Sequence, residues 1–145
     1  MQGLIQRVSH ANVTVDDKIV GAIERGLLLL LGVEKEDTQA NLEKLLNKVL
    51  NYRVFPDEQG KMNLSVRDIN GGLLVVSQFT MAADTAKGLR PSFTAAGAPE
   101  LAEKLYQQFV EAARLQLDQV ACGVFAANMQ VSLCNDGPVT FLLKA

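Results

Sequence analysis

The sequence predicts an α+β fold, a mostly antiparallel sheet with two helices packed against it, in a single domain covering residues 1–145. Three observations predict it. Segments rich in β-branched residues open the chain, an unbroken aliphatic run follows them, and two later segments carry apolar residues at helical spacing.

Residues 2–9 and 11–15 read as two strands, with Val8, Val13, Thr14 and Val15 and a polar break at His10. Asp16-Asp17 is a turn, and Lys18 to Ile23 is a third short strand. Gly26 opens Leu27 to Val33, the pattern of a strand buried on both faces. Asp37 or Thr38 caps a helix that runs to about Tyr52, with Leu42, Leu45, Leu46, Val49 and Leu50 in one apolar stripe. Pro56 to Gly60 breaks the chain, and Gly71-Gly72 leads into a strand from Leu73 to Thr80. Pro99 suits the first turn of the second helix, and Glu100 and Glu103 favour its positive end. Its buried side is Leu101, Leu105, Phe109 and Ala112/Ala113. Residues 119–143 form two strands joined by a turn around Asn135-Asp136-Gly137-Pro138.

Composition narrows the function. The chain has 145 residues, 48% of them hydrophobic, with 14 Lys+Arg against 16 Asp+Glu and a net charge of −2. A chain of this length buries about two thirds of its unfolded surface, so a core forms without disulfides. No apolar run approaches the roughly 20 residues of a membrane span, and no secretory signal is expected at the start. The near-neutral balance argues against coating nucleic acid by bulk charge, but leaves room for gripping one RNA end. Cys122 and Cys134 have no metal-type spacing and read as buried free thiols of a reducing cytoplasm.

There is one histidine, His10, so no two-histidine metal site is available, and a Ser-His-Asp triad would have to use it. Gly-x-Ser-x-Gly, the phosphate-binding loop and Gly-x-Gly-x-x-Gly are all absent. An enzyme built on this sequence works without the common machinery.

Two segments are unusual in charge. Residues 71–83 contain no charged residue, and residues 119–143 contain only Asp136. Exposed strands usually carry charge on one face. Both segments are therefore expected to be covered on both faces, by helices or by another subunit. The cluster Ser77-Gln78-Phe79-Thr80, at the end of an apolar strand, raises a binding-site reading above simple strand-end hydrogen bonding.

The chain resembles, over its whole length, the D-aminoacyl-tRNA deacylases. Arg7-Val8-x-x-Ala11-x-Val13-x-Val15 is similar to the family's opening strands, and Leu27 to Val33 to its central strand. Gly60-Lys61-Met62-Asn63-Leu64 and Arg90-Pro91-Ser92-Phe93 are similar to its connecting segments. The specific signals are Ser77-Gln78-Phe79-Thr80 and Asn135-Asp136-Gly137-Pro138-Val139-Thr140. One departure is Ala126, where the family often has Gly after Phe125.

The resemblance implies a partly closed barrel and a cytoplasmic homodimer, needing no metal or other cofactor, that hydrolyses the ester joining a D-amino acid to the 3′ end of tRNA. It implies a cis Gly137–Pro138 bond that enters the opposite subunit's pocket, Arg7 holding that motif, and Ser77 to Thr80 as the pocket floor. A turn explains Asp136-Gly137-Pro138 on sequence alone, where trans is favoured.

The residues admit further reading one by one. Thr80 is internal and has no histidine near it in sequence, so hydrogen bonding suits it better than nucleophilic attack. The backbone N–H groups of Phe79 and Thr80 are candidate oxyanion donors, and Gln78 can orient the ribose or the ester carbonyl. Ser77 and Gln78 alternate along a strand and line one pocket only if the strand ends there. Gly3, Ile5 and Arg7 share a strand face, which suits a partly buried guanidinium bonded to carbonyl oxygens. Met129 and Phe125 fit either the flanks of an adenine ring or plain core packing. Lys61, Arg67, Lys87 and Arg90 are scattered, and no tRNA contact is assigned to them.

Three functions compete: the D-aminoacyl-tRNA deacylase, a related editing deacylase of other aminoacyl specificity, and a non-catalytic dimer that binds RNA ends. The archaeal editing domain of threonyl-tRNA synthetase, similar in fold, makes the second realistic. The first reading extends to glycyl-tRNA, with L-aminoacyl-tRNA rejected by the Gly137-Pro138 motif. Chelation is expected to leave its activity unchanged.

Overall fold

The computed structural model describes all residues from Met1 to Ala145. Its main sheet is built on one long strand, β1 (Gln2–Val15). This corrects the expected break at His10. Ser9 and His10 are exposed where β1 passes from one neighbour to the next: β3 (Gly26–Gly32) pairs with it up to Val8, and β2 (Lys18–Ile23) from Ala11 onward. The opposite edge of β1 is lined throughout by β8 (Gln130–Lys144), antiparallel, with register shifts on either side of Val8.

The sheet continues from β3 to β6 (Gly72–Ser77) and then to β7 (Val120–Cys122). Both of these pairings are parallel, a mixture the sequence did not suggest. Curvature brings β2 back towards β7. A Cβ on Gly21 would lie 2.6 Å from the Cys122 carbonyl oxygen, so the two backbones touch and the barrel nearly closes. A two-residue strand β4 (Phe55–Pro56) pairs with β5 (Met62–Leu64) outside this sheet.

Two more corrections concern ends and turns. β6 stops at Ser77 rather than at Thr80, and a short 3-10 helix, Phe79–Ala82, follows. Asn135 to Pro138 is no turn: these residues lie inside β8, which runs on to Lys144. A Gly-Pro pair reads as a turn locally, but here the long β1 supplies pairing partners before and after it. The Gly137–Pro138 bond is cis.

Helix α1 (Gln39–Asn51) starts at Thr38, whose N–H donates to Asn41 Oδ1 at 2.9 Å. Asp37 is used elsewhere, holding the Met1 ammonium and the Glu34 N–H. The buried stripe of α1 is Leu42, Leu45, Leu46, Val49 and Leu50, as its spacing predicts. Helix α2 (Pro99–Arg114) begins at Pro99 and buries Leu105, Tyr106, Phe109, Val110 and Ala113, with Leu101 and Ala112 at the margin.

Alternation along β3 and β6 splits the core in two. Leu27, Leu29, Leu31, Leu73 and Val75 join the helix-facing cluster. Leu28, Leu74 and Val76 point to the other face, against Val8, Ala11, Val13 and Ile23. That two-sided burial is why β3 and β6 tolerate no charge. No helix is long and apolar enough to cross a membrane.

Candidate active site

β6 delivers the site. Its last residues are buried through Val76, and the chain then leaves the sheet at Gln78, whose backbone sits at φ −142° and ψ 77°. Because the strand ends there, Ser77 and Gln78 both line one cavity despite being neighbours. The cavity holds about 500 Å³. Phe79, the approach to α2 at Gly97 and Pro99, and Met129 and Val131 complete its walls with the loop Phe125 to Ala127.

The Gln78 N–H donates to the Leu31 carbonyl at 2.8 Å, which fixes the turn out of the sheet. Gly32, next to Leu31, gives the turn room: a Cβ there would stand 3.0 Å from the Met81 Cβ and 3.3 Å from the Gln78 carbonyl oxygen, a tight fit. The amide side chain of Gln78 donates to Thr80 Oγ1 at 2.5 Å, so Thr80 is coupled to the cavity without lining it. The N–H groups of Phe79 and Thr80 have no acceptor in the chain, being first in their short helix. They are free to serve a bound oxygen.

α2 braces the back wall. The single Tyr106 hydroxyl proton is shared between the carbonyls of Val75 (3.0 Å) and Gly123 (3.2 Å), tying β6 to the segment after β7. Burial, first, and the neighbouring Cys122 push its pKa far up, so it stays a neutral donor. Its ring packs on Phe125 at 5.9 Å, and Met129 fills the space over Gly123. Ala126 lies between them at φ +59°, left-handed backbone that suits Gly, which accounts for the position where this sequence departs from the resemblance.

A second group gathers elsewhere. Arg7 Nε donates to the Asp136 carbonyl at 3.0 Å, Nη1 donates to the Val54 carbonyl at 2.6 Å, and the Asp136 carboxylate lies 3.3 Å from Nε. Arg7 is 11% exposed, a partly buried guanidinium on carbonyl oxygens. Gly137 beside it has φ +131°, and a Cβ there would stand 2.8 Å from Val139 Cγ2 and 3.1 Å from Arg7 Nη2. Gly137 and Pro138 are exposed and do not line their own chain's cavity.

The sequence-derived residues thus fall into two sets. Ser77, Gln78, Phe79 and Met129 share the cavity, while Arg7 of β1 and Gly137 and Pro138 of β8 lie together outside it. Sequence reasoning missed Val54 as an Arg7 partner and Tyr106 as the brace. Neither has a local signal, since a backbone carbonyl or a helix tyrosine looks alike everywhere. The two thiols are less buried than expected: Cys122 is half-buried and Cys134 exposed. No group of three or more His, Cys, Asp or Glu side chains converges anywhere.

The family profile of D-Tyr-tRNA(Tyr) deacylase matches residues 4–144. A D-aminoacyl-tRNA deacylase of Stutzerimonas stutzeri is 64% identical over 145 residues, all of both chains. Another, of Shewanella amazonensis, is 62% identical over 144 residues, 99% of each. Among solved structures, the c-Myc DNA unwinding element binding protein is 44% identical with a TM-score of 0.96, covering 100% of this chain and 99% of that one. A probable eukaryotic D-amino acid tRNA deacylase, 16% identical with a TM-score of 0.86 over 99% of this chain and 98% of that one, shares the fold. By sequence over nearly its full length, the chain belongs to the D-Tyr-tRNA(Tyr) deacylase family.

Proposed function

We propose that the protein hydrolyses the ester of D-aminoacyl-tRNA, and of glycyl-tRNA, as a cytoplasmic homodimer, while sparing L-aminoacyl-tRNA. The observation that carries this is the end of β6, where Phe79, with an unpaired amide, and Gln78 line a cavity, and the unpaired Thr80 amide follows next in the chain. An ester carbonyl placed there meets preorganised donors for the negative charge that develops as water adds. The leaving group is a ribose oxygen whose neighbouring hydroxyl can relay the proton. The reaction then needs positioning more than a protein nucleophile. Thr80 contributes a hydrogen bond: Thr80→Val is expected to lower kcat by much less than the roughly 10³-fold loss typical of a removed oxyanion donor.

The projecting Gly137-Pro138 pair is assigned to the cavity of a second copy, because it is exposed and absent from its own. Held by Arg7, it occupies the direction an L-substituent would take from Cα and leaves the D-direction open. A hundredfold preference requires only about 2.8 kcal/mol, within reach of a stiff clash. Glycine has no substituent in either direction and passes.

The test compares D-Ala, Gly and L-Ala on one tRNA. Release of the first two and retention of the third supports the reading. Resistance of glycyl-tRNA equal to that of the L-ester overturns the wedge. Cleavage of another ester alone selects the related editing enzyme, and binding without release selects the non-catalytic RNA-end binder. Gly137→Ala should impair both the D- and the glycyl reaction, through crowding and a φ that alanine resists.

A further inference from the structure

Phe79 lines the cavity and lends the reaction its backbone N–H, but its ring belongs to a feature the reaction does not use. Phe79 and Phe93 pack against each other with centroids 5.1 Å apart and rings tilted by 50°. Both stay open to solvent, Phe79 at 59% and Phe93 at 40%. Burial therefore does not explain the pair.

Its placement is fixed. Asp84 and Ser92 exchange two backbone hydrogen bonds of 2.8 and 2.9 Å, closing the loop that precedes Phe93. Behind Phe93, Lys35 N–H donates to Ala95 O at 3.1 Å and Gly97 N–H to Val33 O at 2.9 Å, stitching the chain to the end of β3. Phe93 stands between these two anchors, four residues from Gly97 in the cavity wall.

The closed loop carries Lys87 and Arg90, both exposed and without any carboxylate or hydrogen-bond partner. The one acid there, Asp84, accepts the Ala86 N–H. From residue 79 to 98 the charges are Asp84, Lys87 and Arg90, a net of +1 in a chain of −2.

An exposed aromatic pair with one ring in the cavity wall, followed back along the chain by a closed loop with two free cations, fits one ligand chemistry: a single-stranded polynucleotide, with bases on the rings and phosphates on the cations. We propose that Phe93, with Phe79, forms a stacking platform for the unpaired nucleotides preceding the terminal adenosine of tRNA, and that Lys87 and Arg90 hold their phosphates. This deepens the deacylase reading and rests on it for the direction of the strand.

The first measurement is binding of a fluorescently labelled, uncharged tRNA to the full-length protein, read by anisotropy. It reads the platform without hydrolysis. Phe93→Leu keeps apolar bulk and removes the π face, and should weaken binding by about tenfold. The double variant Lys87→Ser/Arg90→Ser alters only exposed, unpaired side chains. It should lower the slope of log affinity against log salt by about 1.4, two single-strand phosphate contacts. The second measurement is kinetic: Phe93→Leu should raise KM for D-tyrosyl-tRNA and leave kcat, and the hydrolysis of D-tyrosyl-adenosine, unchanged. Equal loss on tRNA and adenosine esters makes Phe93 a cavity wall and overturns the platform. Unchanged tRNA binding in both variants overturns it too, and gives the patch to a protein partner. If wild type binds tRNA through these residues but releases no D-amino acid, the deacylase reading fails and the platform stands.

Discussion

Residues 71–83 and 119–143 share a composition, nearly free of charge, yet they end up in opposite surroundings. In the first, β6 lies between two parallel neighbours and every residue from Gly72 to Val76 is buried. In the second, β8 is an edge strand with Phe141 39% and Leu142 50% exposed. Missing charge matches burial within the chain only for β6; β8 stays exposed in this chain. The chain itself covers β6. The proposed second copy covers β8, and with it the Gly137-Pro138 projection finds a cavity.

A lysine placed in each segment separates the two cases most sharply. Val75 is 0% exposed. An unpaired ammonium there costs several kcal/mol against a total stability of about 5–15 kcal/mol. Val75→Lys should give no folded protein by circular dichroism, and a folded, soluble variant breaks the comparison at its first term. Leu142→Lys should stay folded but fail to pair, with light scattering giving 15.7 kDa where the parent gives twice that mass. D-aminoacyl-tRNA hydrolysis should fall with the dimer. A dimeric Leu142→Lys would move the interface off this part of β8.

Smaller effects come from the hinges between the segments. Tyr106→Phe removes the one hydroxyl donor shared by the Val75 and Gly123 carbonyls, of which Val75 keeps the Gly123 N–H, and should lower stability in urea by about 1 kcal/mol. Ala126→Gly relieves left-handed backbone in the cavity loop, and should raise stability by about 0.5–1 kcal/mol. Loss of stability there would mean that the alanine methyl packs usefully on the wall.

The mildest effect is on pH. The Met1 ammonium, bonded to Glu34, holds that carboxyl below its usual 4.5. Side-chain hydrogen bonds from Asn63 and Ser65 do the same for Asp57 and Asp68. A carboxylate held low when folded stabilises fully above its unfolded pKa, and that contribution fades as pH falls through the lower folded value. Acid should therefore destabilise the protein gradually below about pH 4.5. All three groups lie outside both uncharged segments. Glu34→Gln should flatten part of the acid slope in denaturant titrations while leaving the oligomeric state untouched.

Elements with a strong local period were legible from sequence. The stripe of α1 and the doubly buried β3 follow from spacing; on α2 spacing found Leu105, Phe109 and Ala113 but missed Ala102, Tyr106 and Val110, and it left the α1 cap between Asp37 and Thr38. Ser77, Gln78 and Phe79 meet on one cavity wall, a grouping that their clustering at the end of an apolar strand suggested, although each alone reads as a strand end that hydrogen-bonds locally. What stayed hidden depends on partners distant in sequence. His10 reads as a break until β2 and β3 are seen to trade places along β1. Asp136-Gly137-Pro138 reads as a turn until β1 is seen to pair on both sides of it. The parallel pairing of β3, β6 and β7 leaves no mark on any one of them, since a buried strand looks the same in either direction.

The contact between Gly21 and Cys122 sets how the barrel moves. β2 pairs only with β1, and β7 only with β6, so their backbones meet without a ladder between them. A seam held by packing alone opens at lower free energy than a hydrogen-bonded one. Among the sheet amides, those facing this seam on β2 and β7 should exchange with deuterium earliest, before the β1 amides engaged with β3 and β8. Motion at the seam reaches Gly123, and through it the Tyr106 brace and Met129, so the back wall of the cavity is hinged on the least secured joint in the sheet.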